Sequence, residues 1–361
     1  MEFGILMGDQ PVGTSPSEHF DLMLRKVEAA QKAGFKYLTI GQHYLYEGYR
    51  WLQPIPLLAR LAAEIDDDVI LGTTVLIGPI HNPVFLAEEL ATLDIVTKGR
   101  LIVGIGTGYL PFEYEIAGVP FKQRYSMLEE MVELMTKLWS QERVTHHGRY
   151  WQLDDVPTHI RPIQQPRPPI WLGAMKETGV RRAARHGDVW TITPQQTVEQ
   201  VRDLIRIYVE ERTACGLPLK RLPLRRELMI GKDFDDAVNR FAAVAREKYV
   251  AYAGRGMTLL SDEAVRKQFI STIKDHVILG TAEECRKQIE AIAAQLPIGP
   301  LIVRPHWPGM DAEQTAAYLE EVGREIVRPL ADLESTTFDS MLASLPAKSS
   351  PADTVQAAVV A

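Results

Sequence analysis

Residues 41–51, GQHYLYEGYRW, crowd an imidazole (His43), an amide (Gln42), three phenols (Tyr44, Tyr46, Tyr49), a guanidinium (Arg50) and an indole (Trp51) into one loop. Two other places in the chain repeat the theme: Thr107, Tyr109 and Phe112 follow GIG, and Arg304, His306 and Trp307 stand together near the end. Imidazole is the side chain that donates or shuttles a proton at neutral pH. Aromatic rings gathered at one mouth suit a planar, conjugated ligand, because faces stack and bury a large area. Arg50 or Arg304 could meet an anionic group on such a ligand. Two plainer readings stand beside these: the rings only close one end of the fold, and His43 is a structural histidine in a loop. A metal centre has little to build on. Among nine histidines only His146 and His147 adjoin, with no HExxH or carboxylate set, and before Gly148 that pair reads as part of a turn.

Something must bring these loops together, and the stretch 69–108 shows what. Val69 to Ile77 is apolar and β-branched on both faces, as a strand covered on both sides must be. Pro83 suits a first helical turn, apolar residues recur at Phe85, Leu86, Leu90, Leu93 and Val96, Gly99 stops the helix, and Leu101 to Ile105 resumes the strand pattern. That is a parallel βαβ unit. The alternation runs on through strands at Phe3–Met7, Tyr37–Ile40, Ile170–Gly173, Val189–Ile192, Leu224–Ile230 and Leu301–Val303. Eight such units predict a closed (β/α)8 TIM barrel, α/β in class, with the chemistry at the C-terminal strand ends. A dinucleotide fold built on GIGTGY is the competitor, but Tyr109 stands where its third glycine belongs, and Pro111 keeps a helix from opening where a pyrophosphate needs one. The barrel is expected as a single domain over 1–334. A mostly helical insertion at about 233–275 is a candidate lid, and a flexible tail follows at 335–361.

Composition narrows the partners. With 46% hydrophobic residues, 24% charged and a net charge of −7, the chain reads as an ordinary globular protein without a nucleic-acid footprint. No apolar run approaches the roughly 20 residues of a membrane span. Glu2 stands where a signal peptide would be basic, and two cysteines make no disulfide framework, so the cytoplasm is the expected compartment.

Several motifs in order resemble the bacterial luciferase-like monooxygenases, the flavin- or deazaflavin-dependent barrels. They are GTTVLIGPIHNPVFLAEELATLDIVTKGRLIVGIGTGY, GRYWQLDDV, PRPPIWLGA, RRAARHGDVW, GTAEEC and RPHWPGM, spread from Met1 to about Leu333. The resemblance implies a (β/α)8 barrel with insertions, a homodimer through helices flanking the second and third strands, and FMN or a deazaflavin at the strand ends. It gives His43 the place of the active-site histidine. Gln42 replaces a carboxylate common in relatives and leaves His43 without an evident charged partner, which favours a neutral donor or shuttle. Thr74 and Val75 match a pair that forms a cis non-prolyl bulge beneath the ring in such proteins. Gly173, Ala174, Met175 and Lys176 are expected to hold the cofactor phosphate. Thr107 and Asn82 are further cofactor candidates, and Tyr44, Tyr49, Trp51, Tyr109, Phe112, His306 and Trp307 would hold the substrate. By the same resemblance the chain is an oxidoreductase that uses reduced FMN from a separate flavin reductase and O2, through a flavin hydroperoxide, to oxygenate a small apolar or aromatic substrate. Alternatives are a deazaflavin-dependent oxidoreductase and a non-catalytic flavin-binding protein.

Overall fold

The computed structural model describes residues 1–345 except 9, 14, 255–268, 305, 306, 308 and 309. Eight parallel strands close into a ring: β1 (Phe3–Met7), β2 (Tyr37–Ile40), β3 (Ile70–Thr73), β4 (Leu101–Gly106), β5 (Ile170–Ala174), β6 (Val189–Ile192), β7 (Leu222–Ile230) and β9 (Ile298–Arg304). The ring closes because β9 pairs with both β7 and β1, while β4 pairs with β5. The strands are almost wholly buried, as a barrel packed inside and covered outside requires. A ninth strand, β8 (Val277–Gly280), escapes the sequence pattern. It pairs with the last residues of β7, Glu227 to Ile230, whereas β9 takes the earlier ones, Leu222 to Glu227.

Helices fill the crossovers. α1 (Pro16–Ala33) starts on a Ser15 and Glu18 capping box and ends at Gly34 with φ 93°, a left-handed cap that only glycine adopts easily. α2 (Pro54–Leu61) and α3 (Pro83–Val96) flank β3, and α3 is capped by Asn82. After β4 comes α4 (Pro111–Ile116), then α5 (Arg124–Ser140), which buries Met127, Met131, Leu134, Met135 and Leu138. α6 (Glu177–His186) and α7 (Val198–Ala214) follow β5 and β6, α8 (Phe234–Gly254) follows β7, and α9 (Ala282–Gln295) and α10 (Ala312–Val322) bracket β9.

Three expectations need correction. A helix does open at Pro111, because proline at the first helical position gives up only an N–H that would lack an intrahelical partner anyway. His146 and His147, expected in a turn, end the first strand of an antiparallel hairpin, Arg143–His147 with Gln152–Pro157, whose turn is stapled by Glu130. That carboxylate accepts the backbone N–H groups of Arg149, Tyr150 and Trp151. The segment expected as a flexible tail from 335 begins instead as packed structure. Ser335 donates its hydroxyl to the Ile298 carbonyl at 2.6 Å, and α11 (Phe338–Ala343) stacks Phe338 on Tyr208. Residues 346–361 of that segment lie outside the described residues, as does the 255–268 part of the expected lid. No described helix is long and apolar enough to cross a membrane.

Candidate active site

His43 leaves the C-terminal end of β2 and meets a partner that the sequence did not advertise. Its Nδ1 lies 3.1 Å from Glu113 Oε1 on α4, and the same oxygen accepts the Tyr44 backbone N–H at 2.9 Å. Glu113 is fully buried and His43 only 11% exposed, so the pair sits largely out of water. The expectation of a histidine without a charged partner is therefore corrected: α4 supplies the carboxylate that position 42 lacks. A carboxylate at Nδ1 fixes the proton on that nitrogen. Nε2 then faces the Tyr109 hydroxyl, 3.4 Å away. The second oxygen of Glu113, Oε2, has no partner among the described residues.

Three rings enclose the imidazole. Tyr46, Trp51 and Tyr109 stand with centroids 4.9, 5.0 and 5.3 Å from it, the last two edge-on. Gln42 holds this loop in place rather than serving His43 directly. Its Oε1 accepts from the Ile77 backbone and from His81 Nε2, while its Nε2 donates to the Tyr44 hydroxyl and to Gln53 Oε1. Gln53 in turn donates to the His43 carbonyl at 3.0 Å.

His81 is neutral in this arrangement, since burial pulls its pKa down to about 4. A histidine depressed when folded binds fewer protons than the unfolded chain between about pH 6.5 and 4, so stability falls as pH drops through that window. The full shift is worth about 3 kcal/mol. We expect His81→Gln to flatten the loss of urea stability between pH 7 and 4.5 by a sizeable part of that amount. An unchanged slope would show that His81 does not contribute.

The peptide between Thr74 and Val75 is cis, and the strand resumes at Leu76–Ile77, paired with Ile105 and Gly106 of β4. Val75 then lies over glycines. A Cβ on Gly106 would sit 2.8 Å from its Cγ2, and Cβ atoms on Gly104 and Gly173 would lie 3.4 and 3.7 Å from its Cγ1. Side chains are missing from these facing positions, which leaves a flat floor with one branched residue across it. The Thr74 hydroxyl is buried and has no partner among the described residues. At the floor's edge β5 ends at Ala174, and α6 begins at Glu177 with no side-chain cap on its first turn. The connecting loop is held from outside, by Trp190 Nε1 to the Ala174 carbonyl and Gln196 Nε2 to the Met175 carbonyl. Its free first-turn N–H groups and the exposed Lys176 fit a phosphate. The orphaned hydroxyl, the glycine floor and the uncapped turn together fit a flat ring carrying a phosphate.

The structure places the other candidates variously. Tyr44 and Tyr109 share hydrogen bonds with the His43 group, and Trp51 and Tyr46 share its ring contacts. Tyr49 touches Tyr46 at 6.3 Å and pairs with Pro11 in a two-stranded ladder with Gln10–Pro11. Thr107 has its carbonyl taken by the Tyr114 hydroxyl, and Phe112 is partly buried on α4. Asn82 spends its side-chain oxygen on the Val84 N–H, as the cap of α3. Trp307 is 1% exposed and packs edge-on against Phe241 of α8 with centroids 5.1 Å apart, so the structure sets it in the core. His306 lies outside the described residues. Among the described residues no group of three or more His, Cys, Asp or Glu is placed to hold a metal ion.

Comparison with known proteins adds an independent line. A family profile described as luciferase-like monooxygenase matches residues 1–298. The chain is 26% identical to the oxygenase component of the flavin-dependent trigonelline monooxygenase of Acinetobacter baylyi, over 74% of this chain and 75% of that protein. It is 29% identical to an F420-dependent glucose-6-phosphate dehydrogenase of Nakamurella multipartita, over 85% and 91% respectively. Its fold superposes on that of the monooxygenase RslO1 from Streptomyces bottropensis with a TM-score of 0.78 at 24% identity, covering 91% of this chain and 99% of that one.

Proposed function

The chain belongs to the luciferase-like monooxygenase family, an oxidoreductase family, and from that premise we propose that it is an FMN-dependent monooxygenase acting on a small aromatic or apolar compound. One observation carries the reading: the His43 and Glu113 pair, ringed by Tyr46, Trp51 and Tyr109, stands at the strand ends beside the glycine floor under Val75. When bound, reduced FMN would supply the electrons that activate O2. Thr74, Val75 and Gly104 would seat its ring, and the 173–176 turn with Lys176 its phosphate. Thr107 and Asn82 would border that seat.

The rest of the chemistry belongs to the chain. Glu113 orients the imidazole and keeps the proton on Nδ1, so that Nε2 can accept a proton from the reacting group or return one. Tyr109 extends that path by one hydroxyl. The aromatic wall, with Tyr44, Tyr49 and Phe112 at its rim, excludes water and stacks the substrate. The trigonelline enzyme's name as an oxygenase component supports a separate flavin reductase as partner.

A second reading has its own support. A histidine backed by a buried carboxylate is also the base that a deazaflavin-dependent dehydrogenase needs, and F420-dependent relatives match over most of the chain. Anaerobic titration with reduced FMN and reduced F420, followed by admission of air, separates the two. The monooxygenase reading expects reduced FMN to bind and then be oxidised with uptake of O2. Binding of F420 alone, stable in air, overturns it in favour of the second reading.

We propose in addition that the chain acts as a homodimer through α2 and α3. The outer face of α3 supports this: Phe85 is 68% exposed near its start, and Ile95 and Val96 are exposed at its end. Sedimentation at twice 40.6 kDa is the expected result, and a monomer across micromolar concentrations would refute it.

A further inference from the structure

The turn that follows β5 is tied down from the side of β6. Trp190 on β6 donates its indole N–H to the Ala174 carbonyl at 2.9 Å, and Gln196, in the loop after β6, donates its amide to the Met175 carbonyl at 3.3 Å. In a trans peptide the N–H points opposite to the carbonyl of the same unit, and neither of these two peptides is cis. The N–H groups of Met175 and Lys176 are therefore turned away from β6 and its loop, one after the other. Neither has a hydrogen-bond partner among the described residues. Successive N–H groups turned to one side make a nest for an anion.

Behind the tie stands a buried cation. Gln196 is itself buried; its Oε1 accepts from the Thr193 hydroxyl at 3.3 Å, which keeps its amide nitrogen on Met175, and its carbonyl accepts from Arg226 Nη2 at 2.9 Å. Arg226 Nη1 donates to the carbonyls of Arg225 and Thr193, at 2.9 and 3.4 Å. Its guanidinium is thus met by neutral carbonyls, at 2% exposure, and no carboxylate pairs with it among the described residues. Burial pulls its pKa down to about 10, which leaves it charged at neutral pH. The charge is felt nearby: burial first, and Arg226 second, lower the pKa of His276. Carbonyl dipoles offset part of the cost of a buried charge, and an anion within reach offsets more.

We propose that Gln196 and Arg226 are positioning residues for the cofactor phosphate: Gln196, together with Trp190, holds the nest open, and the charge of Arg226, one glutamine behind it, draws the anion in. This rests on the reading of the 173–176 turn as the phosphate seat. Neither residue touches the phosphate, and together they set how strongly a phosphorylated cofactor is preferred to the same ring system without its phosphate. Lys176 is exposed, so salt screens its share of that preference, whereas a buried charge is screened much less.

The test is an anaerobic binding titration of the full chain in about 0.5 M salt, which mutes Lys176. The probes are reduced FMN against reduced riboflavin, and reduced F420 against its phosphate-free deazaflavin core. The phosphorylated member of the pair that binds is expected to bind at least about 10-fold more tightly than the other. Gln196→Met and Arg226→Gln are each expected to weaken it about 10-fold while leaving the phosphate-free member unchanged. Arg226→Lys, which keeps the charge, is expected to retain most of the preference. Circular dichroism identifies a variant that fails to fold; Trp190→Phe, which drops the other tether and keeps a ring, then takes its place with the same selective loss expected. Equal affinity for both members in the parent protein, an undiminished preference in the folded variants, or a parallel loss of both members would each overturn the proposal, the last because it marks a merely structural role. A preference for F420 that the variants lose sinks the FMN reading and spares this clamp. FMN bound and oxidised with uptake of O2, but without preference over riboflavin, sinks the clamp alone, and binding of neither cofactor sinks both.

Discussion

Gly104→Ala is expected to abolish cooperative folding, or to lower unfolding free energy by more than about 4 kcal/mol. A Cβ at this position would lie 2.0 Å from the Thr73 carbonyl oxygen and 3.0 Å from its carbonyl carbon, both backbone atoms of the neighbouring strand. Neither can swing aside. Thr73 also locks the register here, since its hydroxyl accepts from the Gly104 N–H at 2.9 Å and donates to the Gly104 carbonyl at 2.8 Å. Relief of the clash would pull β3 from β4 just where the floor under Val75 is built. Gly13→Ala is the control, because nothing lies within 4 Å of its Cβ, and it should change stability by less than about 0.5 kcal/mol. Urea denaturation followed by circular dichroism measures both. A Gly104→Ala protein that unfolds at the parental midpoint would show that the strands approach each other less closely than described.

Glu113→Gln should cost about 100-fold in turnover of whichever reaction the cofactor titration identifies, with the affinity for reduced cofactor unchanged within a few-fold. The substitution keeps an acceptor oxygen for the Tyr44 N–H, so the loop stays in place. What it removes is the charge at His43 Nδ1, and with it the preference for one tautomer. His43→Gln should lose at least as much, and the double variant little more than the worse single one, since the two act as a unit. Additive losses would mean that Glu113 and His43 serve separate steps. Equal unfolding midpoints in urea exclude a merely structural cause.

The strands were legible because each is buried on both faces. Runs such as FGILM, YLTI and VWTI leave no polar side to mislead, and the helices between them carry their caps in plain view at Ser15, Asn82 and Thr197. β8 was missed because four apolar residues after a helical stretch are too few to show a period. Glu113 was missed for a related reason. α4 has six residues, too short for periodicity, and an acid between Phe112 and Tyr114 reads as the exposed position when in fact it is the buried one. The signal that could have found it is chemical: Gln42 stands where a carboxylate is usual, and a second acid nearby in space was the natural substitute. Trp307 was assigned to the mouth from its place after β9, but its ring fills the space offered by Phe241, a contact that depends on how α8 folds back and that no local pattern records. The packing of Ser335 and Phe338 was hidden the same way, since a weakly patterned segment is held by single contacts to distant elements.

The division of β7 between two neighbours has a consequence for how such a chain can change. Its earlier residues complete the circle with β9, and its later ones hand a free edge to β8. β8 is thus an annex hung on a seam that is already sewn. Altering its length or its pairing leaves β7 joined to β9 through Leu222 to Glu227, so the circle need not be redrawn.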